Sequence, residues 1–280
     1  MPHWISETAH AKINLALHVL GRRNDGYHEL DSIVAFANIG DDLRIETSDQ
    51  LTLNCVGPFA DHIPLGADNI ILKAWHILQA LGVSIPKVSV ELTKNLPVSS
   101  GIGGGSADAA AMLRALLRMT NSSLTSDQVK SLSRSLGADV PVCFYQKPCH
   151  MQGIGETITP LEIELPCAIV LVNPLRPCST ADVFRNLGLA NGASFADAIS
   201  MENPPIWRND LSAAAQSIRP EITTVLAALR QEPCFSAVRM SGSGATCFGL
   251  AASSAEANAA WARLSVKNPN WWVRAAEIML

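Results

Sequence analysis

Pro97-Val98-Ser99-Ser100-Gly101-Ile102-Gly103-Gly104-Gly105-Ser106-Ala107-Asp108-Ala109-Ala110-Ala111 sets four glycines within five residues, directly ahead of an alanine- and leucine-rich run that reaches Met119. Glycine tolerates positive φ and lets a ligand approach the backbone closely. The N–H groups of a helix start have no intrahelical acceptor, and the helix dipole adds positive potential there. Together these features predict a phosphate-binding turn at the head of a helix over residues 106–119. Ser106 reads as its N-cap. A linker or a close strand–helix turn would also be glycine-rich, but a linker rarely runs into so strong a helix. The loop is not a Walker A motif, because no Gly-Lys-Ser/Thr follows. Nor is it the Rossmann fingerprint, because Gly101-x-Gly103-x-x-Ser106 lacks the third glycine.

Upstream, Ala11 to Leu20 alternates in strand fashion, with Ile13, Leu15, Leu17 and Val19 on one face and Lys12, Asn14, Ala16 and His18 on the other. Asp25-Gly26 marks a turn, so a strand returns from Tyr27 onward. Residues 43–47, 51–56 and 88–93 are further strands. Asn69 to Leu81 is a helix that Gly82 ends. Downstream, 125–136 is a helix and Pro141 to Tyr145 a strand. Then come a strand over 165–172, a helix over 181–187, a loop over 189–205, and two helices over 209–218 and 221–230. Strands over 238–240 and 246–250, a helix over 255–264 and a strand over 272–276 complete the chain. Without a strict βαβ rhythm, this order favours an α+β fold. A domain boundary is expected between 158 and 159.

Composition sets outer limits. Of 280 residues, 48% are hydrophobic and 16% charged, which excludes a disordered chain. The net charge of −4 argues against nucleic acid as the main partner. Seven cysteines form no C-x-x-C pair, so buried free thiols of a reducing compartment are expected. No signal peptide or membrane-spanning run is seen, so a cytoplasmic protein is expected.

Asp139 lies in Leu-Gly-Ala-Asp-Val-Pro-Val-Cys, between apolar stretches, and Lys12 heads an apolar strand. A charge in such a place needs a partner, and each is a natural one for the other. A lysine beside an aspartate keeps it ionised and able to take a proton from a hydroxyl. A helix cap for Asp139 and a surface cation for Lys12 are the alternative. Met240-Ser-Gly-Ser-Gly-Ala-Thr is either a plain turn or a second wall of the phosphate site.

Ala11-Lys-Ile-Asn-Leu, the loop Pro97 to Ala110 and Ser241-Gly-Ser-Gly-Ala, in that order and spanning almost the whole chain, resemble the GHMP kinase superfamily. Arg23-Asn-Asp-Gly-Tyr-His and Gly137-Ala-Asp-Val-Pro resemble most the branch whose substrate carries a cytidine diphosphate. The resemblance implies a two-domain GHMP kinase fold with a cleft between the domains. Residues 1–158 would form a ribosomal-protein-S5-domain-2-like N-terminal domain, and 159–280 a ferredoxin-like C-terminal domain. It implies ATP with Mg2+ as phosphoryl donor, a small-molecule alcohol as acceptor, and a monomer or weak homodimer.

By the same resemblance Lys12 and Asp139 are the catalytic pair. Pro97, Gly101, Gly103, Gly104, Gly105, Ser106 and Ala107 hold the ATP phosphates, and Asn69, Ile70 and Lys94 the adenine side. Asn14, Tyr27, His28, Thr180, Phe184, Gly242 and Ser243 face the acceptor, with Phe184 stacked on its base. Magnesium is held through the ATP phosphates, with no protein ligand assigned. Ser99-Ser100 replaces glycine or alanine, Ile102 a leucine and Ala107 a serine. The two serines fit if neither position needs φ > 0. A homoserine, mevalonate or sugar kinase of the same superfamily, or a non-catalytic ligand-binding member, remains the alternative.

Overall fold

The computed structural model describes residues 4–162, 166–199 and 207–279. It resolves into two compact units, each assembled from separate stretches of chain. The first comprises residues 1–11, 39–98 and 103–146; the second comprises 12–38, 99–102 and 147–280. Strand β1 (Ile5–Arg22) and strand β2 (His28–Thr47) each contribute to both.

In the first unit, the end of β2 pairs antiparallel with β4 (Val88–Thr93), which pairs in parallel with β3 (Thr52–Val56). Strand β4 reads Val-Ser-Val-Glu-Leu-Thr and alternates buried with half-buried, as one-faced burial requires. Helix α1 (Ile70–Ala80) opens on Asn69, whose side chain accepts the Ile71 N–H. Helix α2 (Gly104–Met119) packs against α1 and against α4 (Val140–Tyr145), and α3 (Ser126–Ser135) packs against α4. Alanines 107, 109, 110, 111 and 115 are fully buried, and their small size lets neighbouring helices approach α2 closely. Helix α3 starts in a capping box made by Thr125 and Gln128.

The second unit holds β5 (Cys149–Gly153) between β2 and β6 (Thr157–Pro160). Its larger part runs β7 (Ala168–Asn173), α5 (Thr180–Leu187), α6 (Ser212–Ile218), α7 (Glu221–Arg230), β8 (Phe235–Met240), β9 (Cys247–Ala251), α8 (Ser254–Lys267) and β10 (Trp272–Met279). The strands lie side by side as β10-β7-β9-β8, every pair antiparallel. Helix α7 packs on β8 and β9, and α8 on β7 and β10. That is the ferredoxin-like arrangement expected of the C-terminal half. Val170, Val172, Val225, Leu229, Leu264 and Val273 sit in its core.

Several local readings need correction. Residues 141–145 form helix α4, not a strand; Pro141 sits in its first turn, where its missing N–H costs nothing. Residues 43–47 continue β2 rather than forming a separate strand. Helix α2 begins at Gly104, so Ser106 lies inside its first turn and Gly103 holds the N-cap position. Ser99 has φ +52°, so that site does require the left-handed region. All seven cysteines are free, but only Cys143, Cys149, Cys178 and Cys247 are buried, and Cys167 is exposed. Among the described residues no helix is long and apolar enough to cross a membrane.

Candidate active site

The glycine turn is shaped by backbone that leaves no room for side chains. Gly101 has φ +76°, and a Cβ there would meet the carbonyl oxygen of Ser241 at 2.5 Å and the N–H nitrogen of Gly244 at 2.7 Å. Gly242, at φ +53°, faces the carbonyl oxygen of Gly101 equally closely, at 2.5 Å. The second glycine segment is therefore packed on the first, in the manner of a supporting wall. The Ser241 hydroxyl donates to the Gly101 carbonyl (3.1 Å) and accepts the Asn14 N–H (3.1 Å). The Thr246 N–H reaches the Ser100 carbonyl, and the Lys12 N–H the Ile102 carbonyl, both at 3.0 Å. Strand β1 is thus tied to the loop through two backbone positions.

Gly103 is left-handed, at φ 69° and ψ 15°, and no side chain caps α2. The Ala107 N–H already bonds the Gly103 carbonyl and its side chain is buried. The preceding amides, of Gly104, Gly105 and Ser106, precede the first intrahelical bond and have no acceptor within the helix. Gly105 is exposed, and a Cβ on it would meet nothing within 4 Å. An anion can approach these amides from that open side. Pro97 is buried at the entry to the turn.

In strand β1, Lys12 and Asn14 are buried, at 3% and 1% exposure. The Asn14 side-chain amide donates to the Ser32 hydroxyl (2.8 Å), which donates to the Ala16 carbonyl (2.6 Å). Asn14 Oδ1 is buried and accepts nothing among the described residues, so it is available to a ligand donor. The His28 ring lies against Phe184, with centroids 4.6 Å apart and planes tilted by 31°. Burial, and secondarily the Arg22 charge, lower the His28 pKa and keep the ring neutral at pH 7. Its Nε2 is likewise buried without a partner among the described residues. Thr180 and Ser243 share a hydrogen bond of 2.8 Å, linking the start of α5 to the second glycine segment. Tyr27 is 60% exposed beside the turn.

Asp139 occupies the N-cap position of α4, yet its side chain makes no capping bond there. Burial pushes the Cys149 thiol up to about 12, with the charge of Lys12 opposing. Asn69 caps α1, and its amide group also donates to the Pro64 carbonyl (2.7 Å), so its side chain is committed to the fold; Ile70 begins that helix. The Lys94 ammonium points inward, paired with Asp41 and, at 2.6 Å, with Asp108.

Reading the sequence missed several parts of this frame. Asp41 and Asp108 are one group; Asn209, behind the Ser241 segment, is another. The Asn209 amide group donates to the carbonyls of Met240 and Gly242, both at 2.8 Å, and so holds the glycine wall from behind. A signal for Asp108 was present: a carboxylate inside an alanine run must find a partner when the helix is buried.

A glycine turn opening a helix, a second glycine turn bracing it and a ferredoxin-like second unit define a small-molecule kinase. Residues 69–147 match the GHMP kinases N terminal domain and residues 191–270 the GHMP kinases C terminal domain. The chain belongs to the GHMP kinases. It is 43% identical to a 4-diphosphocytidyl-2-C-methyl-D-erythritol kinase of Bradyrhizobium diazoefficiens, over 99% of each chain. Identity to the kinase of the same name from Paramagnetospirillum magneticum is 44%, over 97% of each chain. A crystal structure of 4-(cytidine 5'-diphospho)-2C-methyl-D-erythritol kinase superposes with a TM-score of 0.80 at 30% identity, covering 98% of this chain and 99% of that one. A homoserine kinase from Cytophaga hutchinsonii, at 16% identity and a TM-score of 0.66, shares the fold.

Proposed function

We propose that this chain transfers the γ-phosphoryl group of ATP to the 2-hydroxyl of 4-diphosphocytidyl-2-C-methyl-D-erythritol, giving the 2-phosphate and ADP in isoprenoid precursor synthesis. The observation that carries the reading is the aromatic pair His28–Phe184, with an unpartnered ring nitrogen, set on the same unit as Gly101 and the Ser241–Gly244 segment packed against it. A pyrimidine base suits such a site: it stacks on an aromatic face and offers both donors and acceptors.

In this reading the α2 amides and the glycine turn hold the ATP phosphates. Asn14, Tyr27, His28, Thr180 and Phe184 hold the cytidine diphosphate part. Asp139 accepts the proton of the acceptor hydroxyl as its oxygen bonds to the γ-phosphorus and the bond to ADP breaks. Lys12 keeps Asp139 ionised and offsets charge on the phosphoryl group in flight. Most of the acceleration comes from position and electrostatics, as phosphoryl transfer requires. Among the described residues no three His, Cys, Asp or Glu side chains gather to hold a metal. Magnesium fits as an ion carried by the nucleotide phosphates, whose negative charge it would offset.

The test is a product-mass assay with Mg-ATP and three acceptors: the cytidyl substrate, homoserine and mevalonate. A gain of one phosphoryl mass on the cytidyl substrate alone is expected. Transfer to homoserine or mevalonate instead would remove the cytidine-site assignments while keeping the kinase.

A further inference from the structure

Beneath the first turn of α2 lies a buried group of three charges that the reaction above does not use. Lys94, Asp41 and Asp108 have side chains 2%, 0% and 4% exposed. A Cβ on Gly104 would lie 3.3 Å from Lys94 Nζ and 3.9 Å from Asp41 Oδ2, so the group sits directly under the residue that opens the helix. Two carboxylates share one ammonium. With both ionised, the group would carry a buried net charge of about −1, next to the turn that must receive phosphates.

The two carboxylates are not equivalent. Asp41 Oδ1 accepts the N–H groups of Asn95 (2.6 Å) and Leu96 (2.8 Å), while its Oδ2 takes Lys94. Asp108 accepts from Lys94 on Oδ2 and lies against the Asp41 carboxylate, and its Oδ1 is buried with no donor among the described residues. Donors favour the ionised form, so a proton shared by the group belongs on Asp108.

We propose that Asp108 is a positioning residue for nucleotide affinity: the buried group takes up a proton as a polyphosphate binds at the N-terminus of α2. This rests on the reading of that turn as the ATP site. Burial first, and then the Asp41 charge, push the Asp108 pKa up to about 7 against the pull of Lys94. Lys94 itself is held above its ordinary value, because the two carboxylates outweigh the effect of its burial. The other titratable groups packed nearby are few. Cys55 on β3 senses all three charges and is pushed up chiefly by burial. The lysine of α1, Lys73, is half-exposed and paired with Asp68; α4 brings Cys143 and Tyr145.

Asp108 follows Gly104 by four residues, about 6 Å of helix rise. Phosphate charge at that distance shifts the protonation of a carboxyl by roughly tenfold or more at an effective dielectric near 20. Binding therefore raises the Asp108 pKa further, and by linkage nucleotide affinity rises as pH falls through 7.

The experiment is calorimetry of Mg-ATP binding in buffers of different ionisation enthalpy, on wild type and Asp108→Asn. Wild type should take up about 0.5 proton per nucleotide at pH 7.5 in excess of the variant, and lose roughly tenfold in affinity from pH 6 to 9. The variant should lack that excess and that slope. Equal proton uptake in both proteins overturns the proposal and leaves the ATP site standing. No nucleotide binding by folded wild type overturns the site assignment and the proposal together. Should the variant not fold, infrared difference spectra of wild type decide: a protonated-carboxyl band must grow on Mg-ATP binding, and its absence overturns the proposal.

Discussion

Gly101 and Gly242 meet backbone to backbone: a Cβ on Gly242 would come within 2.5 Å of the Gly101 carbonyl oxygen, and one on Gly101 within 2.5 Å of the Ser241 carbonyl oxygen. Both residues hold positive φ. Neither contact can be relieved by swinging a flexible side chain, because the opposing atoms are main chain. Gly101→Ala should therefore cost about 2–5 kcal/mol, from left-handed strain and overpacking together. Urea unfolding checks the stability, and the KM for ATP should rise in whatever protein folds. Wild-type values for both would mean that the two turns are not in contact.

Asp139→Asn retains the shape of the side chain and removes its ability to accept a proton. Turnover should fall by ~10² to 10⁴ with ATP affinity nearly intact. Single-turnover kinetics beside equilibrium nucleotide binding separate the two quantities. A variant that turns over like wild type would exclude Asp139 from the chemistry.

The His28–Phe184 pair should be read out by the acceptor alone. Phe184→Ala loses one stacking surface, worth ~1–3 kcal/mol per base, or about 10- to 100-fold in acceptor affinity. The KM for ATP should not follow. Because the His28 pKa is lowered, its ring is neutral across pH 7 and above. Acceptor affinity should be flat there and decline only below the pH range in which imidazoles ordinarily protonate, because the shift is downward. Titrating a cytidine nucleotide into the protein at several pH values tests both statements.

Asp108 also governs how stability varies with pH. Its folded pKa is raised from 3.8 to about 7, so the folded chain binds a proton that the unfolded chain releases between those values. The resulting contribution is full below pH 3.8 and is lost as pH rises through 7. Asp108→Asn should flatten this part of the curve, so that wild type loses melting temperature relative to the variant between pH 4 and 7. Differential scanning calorimetry at matched ionic strength measures it; parallel curves would place the titrating proton elsewhere.

The glycine turn at the head of α2 was legible because its evidence is local, glycines running into a helix start, although Ser106 is not the cap that the sequence suggested. Element order alone gave an α+β chain, and the ferredoxin-like half was expected only from the family resemblance. Helix α4 was not, since Val-Pro-Val-Cys-Phe is a short apolar run, and periodicity cannot tell a buried strand from a buried helix turn at that length. Strand β5 escaped notice because Cys-His-Met-Gln-Gly lacks the β-branched residues that mark strands. The left-handed Ser99 was hidden because serine does not advertise positive φ. The charged group under α2 joins residues 53 and 14 positions apart, and only folding reveals such a meeting.

Strands β1 and β2 each pass from one unit to the other, at Ala11–Lys12 and at Asn38–Ile39. No single incision in the chain leaves both units whole. A gene broken at one codon and rejoined to a relative would therefore carry fragments of both units with the exchanged piece. Moving one unit intact into another chain would take five junctions rather than one.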